Sequence, residues 1–204
     1  MAPQPGQDLL LMLPNSQSEL ERRHYTIRSF DAQAHTLNID FVLHGAESLV
    51  MRWLGGARQG DEIIAFGPRG RNILHDGAAW RLFVADETGL PAVAGMIEAM
   101  PEGAFAQAYV EIAETNDQQH IRTKANADIV WLPRGGPPQP PSKALIDTLR
   151  SWQAPEGDGH IYLLAETSAV RTIRHELRAR GFSKSSVFAE GYWRPGRFGG
   201  HDHV

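Results

Sequence analysis

The chain has 204 residues, of which 42% are hydrophobic, with a formal net charge of −4 and no cysteine. The acidic balance gives no argument for binding nucleic acid, and the lack of cysteine excludes disulfides, thiolate nucleophiles and cysteine-held zinc or iron–sulfur clusters. Redox chemistry would therefore need a bound organic cofactor. No apolar run approaches the roughly 20 residues of a membrane span, and the N-terminus lacks a signal-peptide pattern. We expect a cytoplasmic protein that does not insert into the membrane.

The first 76 residues carry short strand patterns broken by polar turns. Apolar alternation and β-prone residues predict the strands, and a glycine pair closes one short helical segment. We predict strands over residues 8–13, 25–30, 37–43 and 62–66, polar connections over 15–21 and 31–35, and a helix over 46–54. This part is therefore expected to form an antiparallel β domain.

From residue 77 onward, strands alternate with amphipathic helices. We predict strands over 80–85, 106–113, 129–132 and 160–165, helices over 90–100, 143–152 and 169–180, and a rigid proline-rich loop over 135–141. Such alternation is typical of a parallel sheet covered by helices. The whole chain is thus predicted to be an α+β protein with two domains, over residues 1–76 and 77–204.

Arg23-His24-Tyr25-Thr26 is the most informative segment of the first domain. An arginine can fork onto a phosphate, and a tyrosine offers an aromatic face for stacking. A threonine hydroxyl can donate to a ring nitrogen. The combination favours a large, flat, anionic cofactor.

Carboxylates follow two of the predicted parallel strands. Asp86-Glu87-Thr88 stands at the first strand-to-helix turn, and Glu166 ends a later strand. Ligands of open α/β sheets usually bind at this carboxyl edge, and a helix N-terminus offers N–H groups to an anion. The alternative is that these residues only cap the helices that follow.

Two further segments carry weaker signals. His44-Gly45 precedes the helix that contains Trp53, and glycine there would let a phosphate approach the backbone, although a plain strand-to-helix turn explains it equally. Tyr192-Trp193-Arg194 suits closure over a flat cofactor or an anionic ligand, or else a terminal strand that buries its aromatic residues. The tail with His201 and His203 is expected to be disordered and to hold no metal.

Taken together and in this order, these segments resemble the siderophore-interacting protein family of FAD-dependent ferric-siderophore reductases. The resemblance also rests on Asp40 to Gly45 and on Gly67-Pro68-Arg69-Gly70, and it covers essentially the whole chain. It implies an FAD-binding β-barrel over residues 1–76 and an α/β domain for NADH or NADPH over residues 77–204. It further implies electron transfer from NAD(P)H through FAD to Fe(III) in a siderophore, with release of Fe(II).

The resemblance also implies roles for individual residues. The expected contacts to FAD and the nicotinamide nucleotide are Arg23, Tyr25, Thr26, Phe41, Val42, His44, Gly45, Trp53, Asp86, Glu87, Thr88 and Glu166. The expected contacts to an anionic ferric siderophore are Arg69, Arg71 and Arg194. No residue is expected to act as a general base or nucleophile.

The sequence departs from the family pattern in two places. Met51 stands where a serine is common, so FAD affinity is expected to be lower. The segment before Arg23 has room for one clear strand, where the family barrel has about two more, so the barrel is expected to be truncated. Two alternatives follow: a non-catalytic module that binds a siderophore or nucleotide, and a general flavin reductase with another acceptor.

Overall fold

A computed structural model describes residues 2–43 and 48–197, together with the backbone of residues 202–203. The antiparallel strands come first in the chain, and a parallel sheet with helices follows. This order confirms the predicted fold class. Within the described residues, no helix is long and apolar enough to cross a membrane.

The first part of the chain contains a small antiparallel sheet. Its strands, in the spatial order β2-β1-β5, are β1 (Asp8–Pro14), β2 (Leu20–Thr26) and β5 (Ile64–Arg69). A separate hairpin joins β3 (Ser29–Asp31) to β4 (Thr36–Asn38), and the helix α1 spans Leu49–Gly56. Leu9, Leu11 and Leu13 alternate along β1 and pack in one buried cluster with Leu49 and Val50 of α1. Alternate side chains of β1 point to the same side of the strand, and those leucines pack against one face of α1.

β5 lies at the edge of this sheet and pairs only with β1 among the described strands. All of its residues are exposed, and Ile64 and Phe66 keep 54% and 55% of their surface accessible. A strand at the edge of a sheet presents a row of backbone donors and acceptors that no neighbouring strand pairs, and in β5 the side chains beside them are also apolar. The described part of this domain is therefore an open sheet, without the closure that a complete barrel would have.

The second part of the chain is a twisted parallel sheet with one short antiparallel strand at its end. Its strands are β6 (Trp80–Ala85), β7 (Phe105–Ile112), β8 (Asn126–Pro133), β9 (Gly159–Glu166), β10 (Val187–Trp193) and β11 (Asp202–His203). They lie in the order β11-β10-β9-β6-β7-β8. The helices are α2 (Leu90–Ala99), α3 (Lys143–Ser151) and α4 (Thr167–Ala179), with a 3-10 turn at Thr115–Asp117.

β6 runs through the middle of this sheet and is buried along its whole length. Phe83 and Ala85 belong to the cluster on the α2 side, whereas Leu82 and Val84 belong to the cluster that contains residues of α3 and α4. A central parallel strand covered on both faces is mostly apolar, and β6 is apolar except for the buried Arg81, which is why the sequence predicted it correctly. The sheet divides the core into two layers.

The strand order creates a switch point between β6 and β9. From β6 the chain builds outward through β7 and β8, then returns to place β9 on the other side of β6. At such a point the connections leave the two strand ends in opposite directions, and a crevice forms outside their carboxyl ends. Asp86 and Glu166 stand at these ends, as the sequence predicted.

Some predicted element bounds differ from the structure. The strand predicted over 37–43 is wrong in its second half, since β4 ends at Asn38. Ile39 and Phe41 instead pack against the core of the first domain. Of the helix predicted over 46–54, residues 46 and 47 lie outside the described residues, and α1 begins at Leu49 because Ser48 accepts the Met51 N–H as its N-cap. β10 was predicted only as an alternative.

Polar contacts join the two parts of the chain. Arg28 donates two hydrogen bonds, of 2.6 and 2.7 Å, to the carboxylate of Glu98 in α2. Asn72 donates to Glu190 of β10. A bidentate arginine–carboxylate pair fixes orientation as well as distance. The antiparallel sheet is thereby held against one end of the parallel sheet.

Gly89 gives a test of how closely α2 approaches the switch point. A Cβ at Gly89 would stand 1.8 Å from the carbonyl oxygen of Leu164 in β9. We expect Gly89→Ala to lower the free energy of unfolding by about 1–3 kcal/mol or more, because backbone must move to relieve the overlap.

The measurement is urea unfolding followed by tryptophan fluorescence. Gly55→Ala in α1 is the matched control, since a Cβ there meets nothing within 4 Å. That control is expected to leave stability unchanged or raise it by up to about 1 kcal/mol. Equal unfolding midpoints for both variants would contradict the packing described.

Candidate cofactor and nucleotide site

An aromatic wall lines one side of the first domain, formed by Tyr25, Phe41 and Trp53. The ring centroids of Tyr25 and Phe41 lie 4.4 Å apart, and those of Phe41 and Trp53 lie 6.1 Å apart. All three side chains, and the neighbouring Val42, are half-buried. Burial raises the pKa of the Tyr25 phenol to about 12, so it stays neutral. The structure therefore brings these predicted residues together with part of their surface accessible to a planar ring.

Thr26 and Arg23 flank this wall on β2. Thr26 is 6% exposed and lies beside the phenol of Tyr192 in β10. The Arg23 guanidinium donates to the Glu21 carboxylate over 2.7 Å and to the Arg22 carbonyl over 2.8 Å. Arg23 would have to leave or share these partners to bind a phosphate, so its predicted role stays a prediction.

The N-terminus of α1 is close to the aromatic wall, because Leu49 and Val50 of its first turn belong to the same apolar cluster as the wall residues. The described first turn of this helix contains no acidic residue, and a helix N-terminus carries a partial positive charge. Such an end suits a pyrophosphate. The predicted phosphate-side residues His44 and Gly45 lie outside the described residues.

Asp86 is the most connected side chain at the switch point. One oxygen accepts hydrogen bonds from the Thr88 N–H and hydroxyl, over 2.9 and 2.5 Å. The other accepts from the Glu166 N–H over 2.9 Å and from the Trp193 indole N–H over 2.8 Å. Asp86 is 4% exposed, and burial raises the pKa of its carboxyl to about 6 despite these donors.

Glu166 and Glu87 are also engaged within the protein. The Glu166 carboxylate caps α4 by accepting from the N–H groups of Ser168 and Ala169. Glu87 forms a bidentate ion pair with Arg134, which follows β8. The capping alternative therefore holds for Glu166, whereas the N-cap of α2 is Gly89 without a side-chain cap and Asp86 instead accepts from the turn before that helix. Direct contact of Asp86 and Glu166 with a nucleotide stays a prediction.

Three residues complete this edge that were not among the predicted contacts: Glu111, Arg134 and Ser142. Glu111 of β7 accepts a hydrogen bond from the Ser142 hydroxyl, and burial raises the pKa of its carboxyl. The signal available in the sequence was a lone glutamate near the end of an apolar strand pattern. Glu111 and Ser142 line a pocket, and its other lining residues are Asp86, Glu87, Pro138, Gln139, Pro140, Leu145, Glu166 and Trp193.

This switch-point pocket is acidic. Four carboxylates line it or lie at its floor, and Arg134 is the cation paired with them among the described residues. Carboxylates accept hydrogen bonds from ribose hydroxyls and amides but repel phosphates. The geometry suits the uncharged part of a nucleotide better than its phosphates.

The predicted siderophore contacts occupy the surface. Arg69, Arg71 and Arg194 are all exposed. Exposed guanidinium groups can attract an anionic ligand. Within the described residues, no group of three His, Asp or Glu side chains is arranged to hold a metal ion.

Two protein-family models match most of the chain. A model described as "Siderophore-interacting protein" matches residues 78–196, and one described as "Siderophore-interacting FAD-binding domain" matches residues 2–72. The chain belongs to the siderophore-interacting protein family. The predicted resemblance is therefore confirmed, and FAD is the cofactor of the domain type that residues 2–72 represent.

Individual relatives agree with this assignment. The ferric vibriobactin reductase ViuB of Vibrio cholerae is 28% identical over 178 residues, which cover 86% of this chain and 65% of that protein. The NADPH-dependent ferric-chelate reductase of Escherichia coli is 26% identical over 167 residues, covering 80% of this chain and 63% of that protein. The chain thus spans a little under two thirds of the length of these relatives.

A siderophore utilization protein from T. fusca gives the structural comparison. Its crystal structure superposes with a TM-score of 0.89 at 31% identity, covering 100% of this chain and 84% of that one. The described residues therefore share the fold of that protein.

The residues of the first domain fit FAD in chemical type. The aromatic wall suits the flavin ring, Thr26 is a hydroxyl group at the end of β2, and the described first turn of α1 has no acidic residue. FAD supplies a centre that accepts a hydride and gives up single electrons. The open edge at β5 is the feature of this domain that least resembles a closed site.

The raised pKa of Asp86 predicts a spectroscopic titration near pH 6. The ordinary value is 3.8 and the folded value is about 6, so stability from the protonated carboxyl is present below about pH 4 and lost as the pH rises through 6. Because Trp193 donates to Asp86, tryptophan emission is expected to change with a midpoint near pH 6.

The measurement is fluorescence between pH 4 and pH 8. Asp86→Asn and Trp193→Phe are each expected to remove the step, the first by abolishing the titration and the second by removing the reporter. A step that persists in Asp86→Asn would assign it to another group.

Proposed function

We propose that this chain is a flavin-dependent reductase that passes electrons from NADH or NADPH through FAD to Fe(III) in a siderophore. Residues 1–76 bind FAD, and residues 77–204 bind the nicotinamide nucleotide. The proposal is supported by the family and by relatives whose names describe a ferric vibriobactin reductase and an NADPH-dependent ferric-chelate reductase.

One observation carries the proposal. Tyr25 of the aromatic wall adjoins Thr26, Thr26 lies beside Tyr192, and the next residue, Trp193, lines the switch-point pocket. The candidate sites for flavin and nucleotide therefore meet at the ends of β2 and β10. Hydride transfer requires such contact, because donor and acceptor atoms must approach to about 3–3.5 Å.

The protein's part in this reaction is to bind and orient. Tyr25 and Phe41 present aromatic surface to the flavin, and the buried Thr26 hydroxyl is a hydrogen-bond partner for a ring nitrogen. The carboxylates at the switch point receive the hydroxyl and amide groups of the nucleotide. FAD, when bound, supplies the change from two-electron to one-electron transfer.

The ferric siderophore binds at the surface in this proposal. Arg69, Arg71 and Arg194 attract an anionic chelate, and reduction to Fe(II) weakens its hold on the metal. No proton transfer by a protein side chain is needed, which accords with the lack of cysteine.

A second candidate is a module that binds a siderophore or nucleotide without turnover. The exposed β5 and the methionine at position 51 favour it, because both weaken the case for tight FAD binding. A general flavin reductase with another acceptor shares the same donor side and differs only in the last step.

An anaerobic titration separates these functions. Purified protein is mixed with FAD, then with NADH or NADPH, then with a ferric siderophore, while the flavin absorbance is followed. We expect uptake of FAD, bleaching by the nucleotide, and recovery of absorbance with formation of Fe(II). No uptake of FAD would favour the binding module, and bleaching without recovery would favour another acceptor.

Tyr25→Ala tests the aromatic wall. Loss of stacking is expected to raise the FAD dissociation constant by about 5- to 150-fold, which corresponds to about 1–3 kcal/mol. Phe30→Ala is the matched control, because Phe30 is an exposed aromatic residue of β3 outside the wall. Equal affinities of the two variants, measured by fluorescence quenching, would refute the stacking role.

Arg194→Ala tests the siderophore surface. The variant is expected to raise KM several-fold for an anionic ferric tris-catecholate and to leave KM for NAD(P)H and for a neutral ferric tris-hydroxamate nearly unchanged. Arg171→Ala, which removes an exposed arginine from α4, serves as the control. A comparable rise for the nucleotide or for the neutral chelate would argue against a role in chelate attraction.

A further inference from the structure

Three basic side chains lie together at the amino edge of the parallel sheet, at the opposite end from the switch point. Arg81 and His160 are the second residues of β6 and β9 and pair directly in the parallel register. The loop before β6 brings His75 beside them, with its ring centroid 5.9 Å from that of His160. At about 3.3 Å per strand residue, this amino-edge cluster is roughly 15 Å from Asp86. It is therefore separate from the pocket described above.

Arg81 is a buried charge without a counter-charge. It is 4% exposed, and its terminal nitrogens donate to the carbonyl oxygens of His75, over 2.9 Å, and Ala78, over 3.4 Å. These bonds hold the loop, but carbonyl groups do not neutralise a guanidinium. No carboxylate in the described part of the chain forms an ion pair with Arg81. A buried ion without a counter-charge is strongly unfavourable, so the site lacks a negative partner.

Each member of the amino-edge cluster also has a buried nitrogen with no hydrogen-bond partner among the residues described. These atoms are Arg81 Nε, His75 Nε2 and His160 Nδ1. The arginine Nε always carries a proton, and a neutral imidazole can carry its proton on either nitrogen. All three atoms can therefore donate to one acceptor.

The electrostatic surroundings of His160 are positive as well as apolar. Burial, with the charges of His75 and Arg81, lowers the pKa of the His160 imidazole below its usual value. A negative ion close to these groups would oppose the last two of these effects. The cluster therefore favours an anion over an uncharged ligand such as water, which can accept hydrogen bonds but cannot balance the Arg81 charge.

Aromatic contacts fix the two imidazoles and limit the space between them. His75 stacks on Phe188 with centroids 4.3 Å apart, and His160 meets the same ring edge-on at 5.4 Å. The His75 N–H donates to the Tyr162 hydroxyl over 2.9 Å. Both histidines keep part of their surface accessible, so a small ion can enter from solvent. A monatomic anion suits these dimensions better than a phosphate.

We propose that the amino-edge cluster binds a small monovalent inorganic anion of the size of chloride. The anion balances the Arg81 charge, accepts hydrogen bonds from the three nitrogens, and fastens the loop between the two domains to the start of β6 and β9. The inference does not rest on the proposed function, because it uses no residue of the cofactor or nucleotide sites.

A chloride titration of the full chain at constant ionic strength tests this site. Sodium chloride replaces sodium gluconate, whose anion has the same charge but is too large to enter between the rings. We expect saturable shifts of the imidazole NMR resonances of His75 and His160, and none for His175, which is exposed on α4. The urea unfolding midpoint is expected to rise over the same chloride range, since the ion binds the folded state.

Matched variants assign the binding to the cluster. Arg81→Met and His160→Phe are each expected to raise the chloride dissociation constant about 10-fold or more, because each removes a hydrogen bond to an ion. The remaining His75 resonance is the readout in both variants. Arg171→Met and His175→Phe make the same changes at exposed positions of α4 and are expected to leave the constant unchanged.

Two results would overturn the proposal. One is the absence of saturable shifts at His75 and His160 in the unsubstituted chain, which needs no variant to fold. The other is an equal response of His175, which would indicate a general effect of salt. Saturable shifts confined to the cluster and weakened in His160→Phe support the site even where Arg81→Met does not fold.

Discussion

The carboxyl edge of the parallel sheet depends on one buried carboxylate, Asp86. Its oxygens accept hydrogen bonds from the turn before α2, from the end of β9 and from the end of β10. A buried charge without such donors would be strongly unfavourable, and the pKa of about 6 shows that desolvation still outweighs them. The Asp86 carboxyl at the switch point therefore changes between its ionised and protonated forms near pH 6.

That constraint connects fold to function. Trp193 donates a hydrogen bond to Asp86, and the neighbouring Tyr192 lies beside Thr26 of the antiparallel sheet. Polar groups with hydrogen-bond partners join the two domains, as in the ion pair between Arg28 and Glu98. Electron transfer between ligands of the two domains needs this kind of fixed relative placement, because small displacements sharply reduce the rate of hydride transfer.

The open side of the first domain is the opposite case. β5 presents Ile64 and Phe66 to solvent and has one described neighbour, β1. Apolar edge strands tend to pair with other chains unless something covers them. Self-association of the chain through β5 should therefore be monitored when its affinity for FAD is measured.

Much of the α/β domain could be predicted from the sequence, because β6 and β9 are mostly apolar. Asp86 follows the first of these strands, and Glu166 is the last residue of the second. The strand at 37–43 was predicted too long because Phe41 alternates like a strand residue but packs into the α1 core instead. Arg134 could not be assigned to Glu87, which lies 47 residues earlier, since only the strand order brings them together. The contact between Thr26 and Tyr192 likewise arises from the docking of domains and has no local signal.

The proline-rich wall of the switch-point pocket has a thermodynamic consequence. Pro138 and Pro140 line the pocket, and Arg134 fastens the start of this loop by donating to the Gly136 carbonyl and to Glu87. Prolines have few backbone conformations to lose, so a ligand entering here orders little additional chain. Association at this pocket should therefore carry a small entropic penalty from the protein, and its affinity should be governed mainly by how well the carboxylates are matched by donors on the ligand.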